Sequence, residues 1–270
     1  MLFELTDDLV FPDPRLGEKD GLLAIGGDLS VDRLLLAYSY GIFPWFSFRN
    51  WPYPAWHCPL QRFVIFPNEI HVSHSMRTLM NKNVYRVSFN EDFEGVIHGC
   101  SEVDGRYFHD GAWLGEDMIK AYTDLHDLGY AKSVEVWNSD NQLVGGLYGV
   151  AIGDCFIGES MFSREPSASK LALISLAHFM QRIGGKMIDC QLETAHLRSM
   201  GGRFIPYEEY LEILHPGALE RLGPKPTCPS DEFVLDDFDD MDDMILDDLD
   251  DLEIPDELPS KDCEDPDLPV

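Results

Sequence analysis

The spacing of hydrophobic residues along the chain predicts where its helices and strands lie. Near the N-terminus, Ser30 is placed to cap a helix over Val31–Tyr40, and Gly41 then ends that helix. The apolar face of this helix consists of Leu34, Leu35 and Tyr38. The segment before Ser30 has no sustained period, and we predict that it is rich in loops.

An aromatic and proline-rich segment, Ile42–Trp56, follows this helix. Proline lacks a backbone N–H and fixes φ, so the composition disfavours both a regular helix and a central strand. We predict a loop here and a domain boundary near Pro59. Residues 1–59 would then form a small N-terminal domain, and residues 60–228 would form the main domain.

The main domain alternates between strand patterns and helix patterns. The predicted strands are Arg62–Phe66, Tyr85–Phe89, Lys132–Trp137, Gln142–Val150, Cys155–Met161 and Lys186–Gln191. The predicted helices are Ser75–Asn81, Glu116–Leu128, Ser169–Ile183 and Tyr207–Leu214. The three strands between residues 132 and 161 form an antiparallel meander, in which Gly145 and Gly146 indicate a bulge or a close backbone approach. Elements in this order predict an α+β fold around one twisted sheet.

The acidic charge of the chain is concentrated at its C-terminal end. Residues 231–270 contain 19 acidic residues and one lysine, and the net charge of the whole chain is −29. Because the closely spaced negative charges repel one another and the segment cannot bury a core, we predict that residues 229–270 are a disordered tail. The preceding residues carry a net charge of −11, which permits a small basic patch for nucleic acid. For the tail, a role in solubility is favoured over one as a nucleic-acid mimic.

The overall composition is that of an ordinary globular protein, with 44% hydrophobic and 11% aromatic residues. No apolar run reaches the roughly 18 residues that indicate a membrane helix. The N-terminus lacks the basic and long apolar regions of a signal peptide. The six cysteines are scattered without a C-x-x-C pair, which fits reduced thiols. We therefore expect a cytoplasmic protein that has no membrane segment and no zinc site.

Asp189 and Gln191 form the residue pair whose spacing first indicates chemistry. Both belong to the predicted strand Lys186–Gln191, two positions apart, so their side chains would share one face. A carboxylate and a carboxamide together can orient an attacking amine and accept its proton, directly or through water. Spacing alone favours a simpler interpretation, in which both side chains hydrogen-bond to loop backbone.

Several familiar enzyme motifs do not occur in the sequence. Gly158–Phe162 begins like a nucleophile elbow, but Phe162 replaces the second glycine of G-x-S-x-G, which argues against a serine hydrolase. No H-E-x-x-H, P-loop or dinucleotide fingerprint is present. The order of meander, helix and strand is similar to the N-acetyltransferase superfamily. However, the turn Ser163–Ala168 lacks the glycines that would present amides to coenzyme A, so we expect a different acyl donor.

Longer motifs resemble those of the leucyl/phenylalanyl-tRNA–protein transferases and occur in the same order. The matching segments are Asp20–Ser30, Tyr38–Ser47, Ser133–Trp137, Val144–Val150, Gly158–Arg164 and Ile188–Gln191. The resemblance covers nearly all of the chain before the acidic tail, which lies outside the family pattern. It implies a small N-terminal domain followed by an acetyltransferase-like (GNAT-type) C-terminal domain.

The resemblance also implies which residues form the active site. The family's catalytic set falls on Glu159, Asp189 and Gln191. The pocket for the donor's side chain falls on Leu147, Phe156, Met161, Leu173, Leu176, Met180 and Ile188. Trp45 and Trp113 match aromatic positions near the donor's terminal adenosine, where a base can stack. The helix that is more basic in relatives keeps only His74, Arg77 and Lys82 here, so phosphate contacts would be weaker or shared with other arginines.

By the same resemblance, the enzyme would transfer leucine or phenylalanine from its tRNA to proteins that begin with arginine or lysine. That transfer would mark the acceptor for N-degron degradation. Because an aminoacyl ester is already activated, we expect no cofactor and no metal, and positioning would supply much of the rate. In this interpretation Asp189 orients Gln191 or a water, Gln191 contacts the attacking amine, and Glu159 receives the acceptor's cationic group or holds the amine.

The expected partners are Leu-tRNA or Phe-tRNA and the acceptor protein, and we expect the enzyme to be a monomer. Two alternatives from other functional classes remain open at the level of sequence. One is another transferase of the same fold, such as an acetyltransferase or a peptidoglycan-type aminoacyl transferase. The other is a non-catalytic protein that binds basic N-terminal residues through an acidic surface and transfers nothing.

Overall fold

A computed structural model describes residues 2–45, 54–103 and 115–218 together with the backbone of Val234–Leu235. Within these residues, strands and helices are combined around a four-stranded sheet and a seven-stranded sheet, as predicted for an α+β fold. No helix among these residues has the length and apolar character needed to cross a membrane.

The first part of the chain forms the four-stranded sheet, in the order β1-β3-β5-β4. Its strands are β1 (Phe3–Leu5), β3 (Leu22–Gly26), β4 (Phe43–Trp45) and β5 (Ala55–His57), while β2 (Phe11–Pro12) lies outside it. Helix α1 (Val31–Ser39) follows β3, and the Ser30 hydroxyl accepts a hydrogen bond from the Arg33 backbone N–H. This bond confirms the predicted cap.

The prediction of a loop over Ile42–Trp56 is wrong at both ends, where β4 and β5 form. β4 contains Pro44 but lies at the edge of the sheet, where a missing backbone N–H costs no ladder bond on the open side. β5 starts just after Pro54 and occupies an inner position. Between the two strands, residues 46–53 lie outside the described part of the chain.

The second sheet has the strand order β12-β6-β11-β10-β9-β8-β7. Its strands are β6 (Gln61–Ile65), β7 (Arg86–Phe89), β8 (Ala131–Trp137), β9 (Leu143–Ile152), β10 (Cys155–Ser163), β11 (Met187–Asp189) and β12 (Arg203–Pro206). β8, β9 and β10 pair antiparallel and form the predicted meander. β10 then pairs in parallel with β11, which the chain reaches through a crossover helix.

Helices cover both faces of this sheet. They are α2 (His74–Asn81), α3 (Phe93–Val103), α4 (Glu116–Asp127), α5 (Ala168–Ile183), α6 (Ala195–Ser199) and α7 (Tyr207–Leu214). Helix α5 packs on the face that carries Leu147 and Phe156. Helices α3 and α4 pack on the other face, which carries the next residue along β9, Tyr148. Alternation along the strands therefore separates two apolar layers.

The glycine pair in β9 lets backbone and helix approach the strand closely, as predicted. A Cβ atom on Gly146 would lie 2.7 Å from the carbonyl oxygen of Val134 in β8. A Cβ atom on Gly145 would lie 2.5 Å from the Cβ atom of Ala168, the first residue of α5. Gly145 therefore allows α5 to pack closely against the sheet, and Gly146 allows the backbone of β8 to lie close to β9.

Only two residues of the predicted tail are described, and they form a strand. β13 (Val234–Leu235) pairs antiparallel with β2 through its backbone. For these two residues the prediction of disorder is wrong, because an apolar pair between the acidic runs can take up the unpaired edge of β2. Residues 229–233 and 236–270 lie outside the described part of the chain.

Candidate active site

The candidate site lies where β11 ends and its neighbour β10 continues. Parallel pairing joins Cys155–Ile157 of β10 to Met187–Asp189 of β11, and β10 extends six residues further, to Ser163. The register of β10 against β9 shifts between Gly158 and Ser160, so Glu159 is the extra residue of a β-bulge. A bulge re-aims its side chain out of the regular alternation. Glu159 therefore projects beside the end of β11.

Asp189 is the last residue of β11, and its carboxylate is fully buried and saturated with donors. Arg62 in β6 donates from Nε to both oxygens at 2.9 Å and from Nη2 to Oδ2 at 2.7 Å. The Tyr210 hydroxyl donates to Oδ2 at 3.0 Å. Burial lowers the pKa of Arg62, but the adjacent carboxylate outweighs it and the pKa is raised overall. Asp189 is thus the acceptor side of a buried ion pair.

Arg62 also links the two sheets. Its Nη1 donates to the carbonyl oxygen of Gly41, just after α1, at 2.7 Å. The guanidinium carbon lies 4.8 Å from the ring centroid of Phe43 in β4 and 4.7 Å from that of Tyr210 in α7. Its charge therefore meets a carboxylate, a carbonyl and two aromatic rings, which together compensate for its removal from water.

The prediction that Asp189 and Gln191 share one face of a strand is wrong. β11 ends at Asp189, and Gln191 has a φ of 61°, in the left-handed region. The two residues are joined differently, because the backbone N–H of Gln191 donates to Oδ1 of Asp189 at 2.8 Å. This turn brings the Gln191 side chain to the bulge, where Nε2 donates to Oε1 of Glu159 at 2.9 Å.

Two tyrosine hydroxyls complete the surroundings of Glu159. The hydroxyl of Tyr38 lies 2.9 Å from Oε1, and the hydroxyl of Tyr122 lies 2.7 Å from Oε2. Both tyrosines are fully buried, and their two hydroxyl oxygens are 2.7 Å apart. Burial raises the pKa of Glu159 to about 7, and a tyrosine hydroxyl lowers that pKa only where it donates to the ionised carboxylate. A carboxyl group that titrates near neutrality can act as an acid or a base in a reaction.

The residues predicted to hold the donor's side chain lie together on the α5 side of the sheet. Six of them are at most 5% exposed: Leu147, Phe156, Leu173, Leu176, Met180 and Ile188. Met161, opposite Leu147 in the register of β9 and β10, is only half-buried. Ile188 precedes Asp189 and faces this apolar layer, whereas Asp189 faces the opposite layer, as strand alternation requires.

The residues predicted to contact tRNA are separated from this apolar layer. His74, Arg77 and Lys82 are exposed on or just after α2. Within the described part of the chain, Arg77 and Lys82 have no acidic partner at ion-pair distance. Trp45 at the end of β4 is half-buried and contacts His57 edge-to-face, with ring centroids 4.8 Å apart. Trp113 lies outside the described residues.

Comparison with known proteins identifies the family. A family model described as leucyl/phenylalanyl-tRNA protein transferase matches residues 64–215, and a model for the N-terminal domain of that transferase matches residues 27–60. The chain belongs to the leucyl/phenylalanyl-tRNA protein transferase family. A transferase of this name from Syntrophobacter fumaroxidans is 50% identical over 79% of this chain and 89% of its own. One from Flavobacterium psychrophilum is 50% identical over 78% of this chain and 98% of its own.

One solved structure shows a weak likeness to this chain. L-PGS from Bacillus licheniformis matches 64% of this chain and 54% of its own, at 12% identity and a TM-score of 0.35.

Sequence reasoning overlooked four side chains of the candidate site: Arg62, Tyr210, Tyr38 and Tyr122. One signal was available, because Arg62 is a charged residue at the start of an otherwise apolar strand pattern, and a buried charge requires a partner. The tyrosines gave no comparable signal. Tyr38 fits the apolar face of α1, and nothing in the spacing relates it to its partners 84 and 121 positions away.

The raised pKa of Glu159 predicts how the stability of the transferase depends on pH. Its ordinary value is 4.5 and its value in the fold is about 7, so the folded protein holds the proton more tightly. This tighter proton binding stabilises the folded protein, fully below about pH 4.5 and no longer once the pH has risen above about 7. At about 1.4 kcal/mol per pKa unit, the loss is about 3 kcal/mol. The free energy of unfolding of Glu159→Gln, relative to that of the parent, should therefore rise by about 3 kcal/mol between pH 4 and pH 8.

Urea denaturation at both pH values measures this difference. Glu209→Gln is the control, because Glu209 is an exposed glutamate on α7. The stability of this variant relative to the parent should be nearly the same at both pH values. A stability difference between Glu159→Gln and the parent that is the same at both pH values would contradict the prediction.

Proposed function

We propose that this chain transfers leucine or phenylalanine from aminoacyl-tRNA to the α-amino group of proteins that begin with arginine or lysine. The transfer would mark the acceptor for degradation through the N-degron pathway. Family membership supports the reaction class, since relatives that carry this name are 50% identical over more than three quarters of the chain. The observation that carries the proposal is the hydrogen-bonded series from Asp189 through Gln191 to Glu159.

In the proposed reaction, the acceptor's neutral amine attacks the ester carbonyl carbon of the aminoacyl-tRNA. An amide bond forms, the ester C–O bond breaks, and the amine's proton passes to the departing ribose oxygen. The ester is already activated, so the enzyme's task is to hold the two reactants together and to manage that proton. A free α-amine has a pKa of about 8, so part of it is deprotonated near neutral pH.

Gln191 is suited to contact the attacking amine. Its Nε2 is committed to Glu159, whereas no donor among the described residues reaches its side-chain oxygen. That oxygen can accept a hydrogen bond from the amine. Asp189 acts as a positioning residue in this scheme, because its carboxylate is buried against Arg62 and holds the backbone of Gln191. Glu159 would receive the acceptor's cationic group or hold its amine.

The apolar layer under α5 is proposed to supply the pocket for the donor's side chain. Met161 and Met180 have flexible side chains and polarizable sulfur atoms, so they can adjust to both leucine and phenylalanine. Met161 is half-buried near the end of β10, where the layer meets the candidate site. Trp45 and Trp113 are proposed to stack on the terminal adenosine, and His74, Arg77 and Lys82 to contact phosphates.

We propose that residues 1–59 and 60–228 are separate domains, because each range contains its own main sheet. The meander, the crossover helix α5 and the parallel β10–β11 pair support a GNAT-type fold for the second domain. We further propose that the enzyme is a monomer and acts in the cytoplasm, where aminoacyl-tRNA is available.

Transfer can be measured with radiolabelled Leu-tRNA or Phe-tRNA and a peptide that begins with arginine. Label should enter this peptide and not one whose N-terminal amine is acetylated. Gln191→Ala should lower kcat on the order of 100-fold, because the amine loses its positioning partner. Gln181→Ala, at an exposed position of α5, is the matched control and should transfer normally. A folded parent that binds the peptide without incorporating label would contradict the proposal and support a non-catalytic binder.

The phosphate contacts proposed for α2 predict a salt-dependent change in tRNA affinity. Arg77→Ala should weaken binding and reduce the slope of log affinity against log salt concentration by about 0.7–0.9, the value for one phosphate contact. Lys186→Ala is the control. Lys186 precedes β11 at the end distant from Asp189 and already pairs with Asp154 at 2.7 Å. Equal salt slopes for Arg77→Ala and the parent would exclude this contact.

A further inference from the structure

Three hydrogen-bonding groups at the site form a closed ring. The Tyr122 hydroxyl lies 2.7 Å from Oε2 of Glu159, the Tyr38 hydroxyl lies 2.9 Å from Oε1, and the two hydroxyl oxygens lie 2.7 Å apart. All three distances are typical of O–H···O hydrogen bonds. A contact of this length between two oxygen atoms needs a proton between them, because otherwise two lone pairs face each other at close range.

The number of available protons decides the ionisation state of Glu159. Tyr38 and Tyr122 supply one proton each, since burial raises the pKa of both hydroxyls well above its ordinary value. An ionised Glu159 supplies none, which leaves two protons for three contacts. A neutral Glu159 supplies the third. The Nε2 of Gln191 does not alter this count, because it forms a separate hydrogen bond to Oε1.

We infer that the substrate-free enzyme holds Glu159 as a neutral acid in a ring of three hydrogen bonds, with Tyr38 and Tyr122 as positioning residues. Oε2–H of Glu159 donates to Tyr122, Tyr122 donates to Tyr38, and Tyr38 donates to Oε1. This direction follows from Gln191, which already donates to Oε1 and therefore marks it as the unprotonated oxygen. The ring contains residues of α1, α4 and β10, so its hydrogen bonds connect the N-terminal part of the chain to the seven-stranded sheet.

Among the residues that the structure describes, no cationic side chain forms an ion pair with Glu159. Arg62 is bound to Asp189, and the two act in opposite directions: Asp189 raises the pKa of Glu159 and Arg62 lowers it. The groups that face the ring from the packed elements are Tyr38 from α1, Tyr122 from α4, Tyr148 from β9, Arg62 from β6, Asp189 from β11 and Gln191 after it. Burial is then the largest influence and favours the neutral acid.

A consequence for acceptor binding rests on the proposed function. If Glu159 receives the cationic group of the acceptor, it must be ionised in the complex, and the ring must open. Binding of the acceptor would then release the ring proton to solvent. By linkage, acceptor affinity should rise with pH through the range in which the ring titrates and level off above it.

The ring itself is tested in the full-length, substrate-free protein by carbon-13 NMR of labelled glutamate side chains, with Glu159 assigned through Glu159→Gln. The carboxyl of Glu159 should be neutral at about pH 6. Tyr38→Phe and Tyr122→Phe should each lower its titration midpoint. In each variant one contact remains, between Glu159 and the other tyrosine, and that tyrosine's hydroxyl proton is enough for it. The ionised carboxylate then no longer leaves a contact without a proton. If both hydroxyls instead donate to a carboxylate, each variant removes a stabilising donor and raises the midpoint, which would overturn the inference.

Phenylalanine keeps the buried ring of each tyrosine, and Tyr85→Phe serves as the matched control. Tyr85 donates to Glu165 at 3.0 Å, away from the site, so this variant should leave the Glu159 midpoint unchanged. A shift in Tyr85→Phe as large as in the ring variants would also count against the inference.

The link to the acceptor is tested by calorimetry of an arginine-starting peptide at about pH 6, in two buffers that differ in ionisation enthalpy. The parent should release up to one proton on binding, and Glu159→Gln should release none. Binding without proton release, in an enzyme that still transfers leucine, overturns the linkage and leaves the proposed function intact. If the parent protein shows the predicted titration behaviour by NMR but transfers no amino acid, the proposed function is contradicted. The inference about the hydrogen-bonded ring would still stand.

Discussion

The buried ion pair between Arg62 and Asp189 is the interaction on which the rest of the site depends. Neither side chain is exposed to water, so each needs the other to compensate for lost hydration. Such pairs contribute little net stability, but their bidentate geometry permits few alternatives. Here the pair fixes the end of β11 against β6, and Arg62 also reaches Gly41 after α1. Elements far apart in sequence are therefore aligned by one guanidinium.

The same pair explains why two nearby carboxyl groups have different surroundings. Asp189 is fully buried and has the guanidinium of Arg62 as its partner. Within the described part of the chain, the hydrogen-bonding partners of Glu159 are two hydroxyls and a carboxamide. Loss of hydration raises the pKa of Glu159 and favours its neutral form. Gln191 connects the two, through its backbone on one side and its side chain on the other.

Local signals in the sequence were sufficient for much of the fold. The meander over residues 132–161, the long helix α5 and the cap at Ser30 depend on periodicity and on neighbouring residues. Strands β4 and β5 were harder to predict from the sequence, because the position of a proline relative to a sheet edge is a tertiary property. Helix α3 was also missed, although Asp92 accepts a hydrogen bond from the backbone N–H of Gly95 in a typical capping position.

The candidate site was predictable only in part, for a physical reason. Family motifs indicated Glu159, Asp189 and Gln191, but strand alternation gave the wrong relation between the last two. The left-handed backbone at Gln191 is imposed by its hydrogen bond to Asp189, which in turn depends on Arg62. Tyr38 and Tyr122 come from separate helices and meet only after folding. Contacts of this kind are set by topology and leave no local pattern.

We expect the Arg62–Asp189 ion pair to position Gln191 and thereby to support transfer, beyond any role in stability. The double variant Arg62→Met/Asp189→Leu tests it, because apolar replacement of a buried pair is often neutral for stability. Urea denaturation and the rate of leucine transfer would be measured on the same preparation. We expect near-parental stability and transfer slowed on the order of 100-fold, since the backbone N–H of Gln191 loses its acceptor. A stable double variant that transfers leucine at the parental rate would contradict the account.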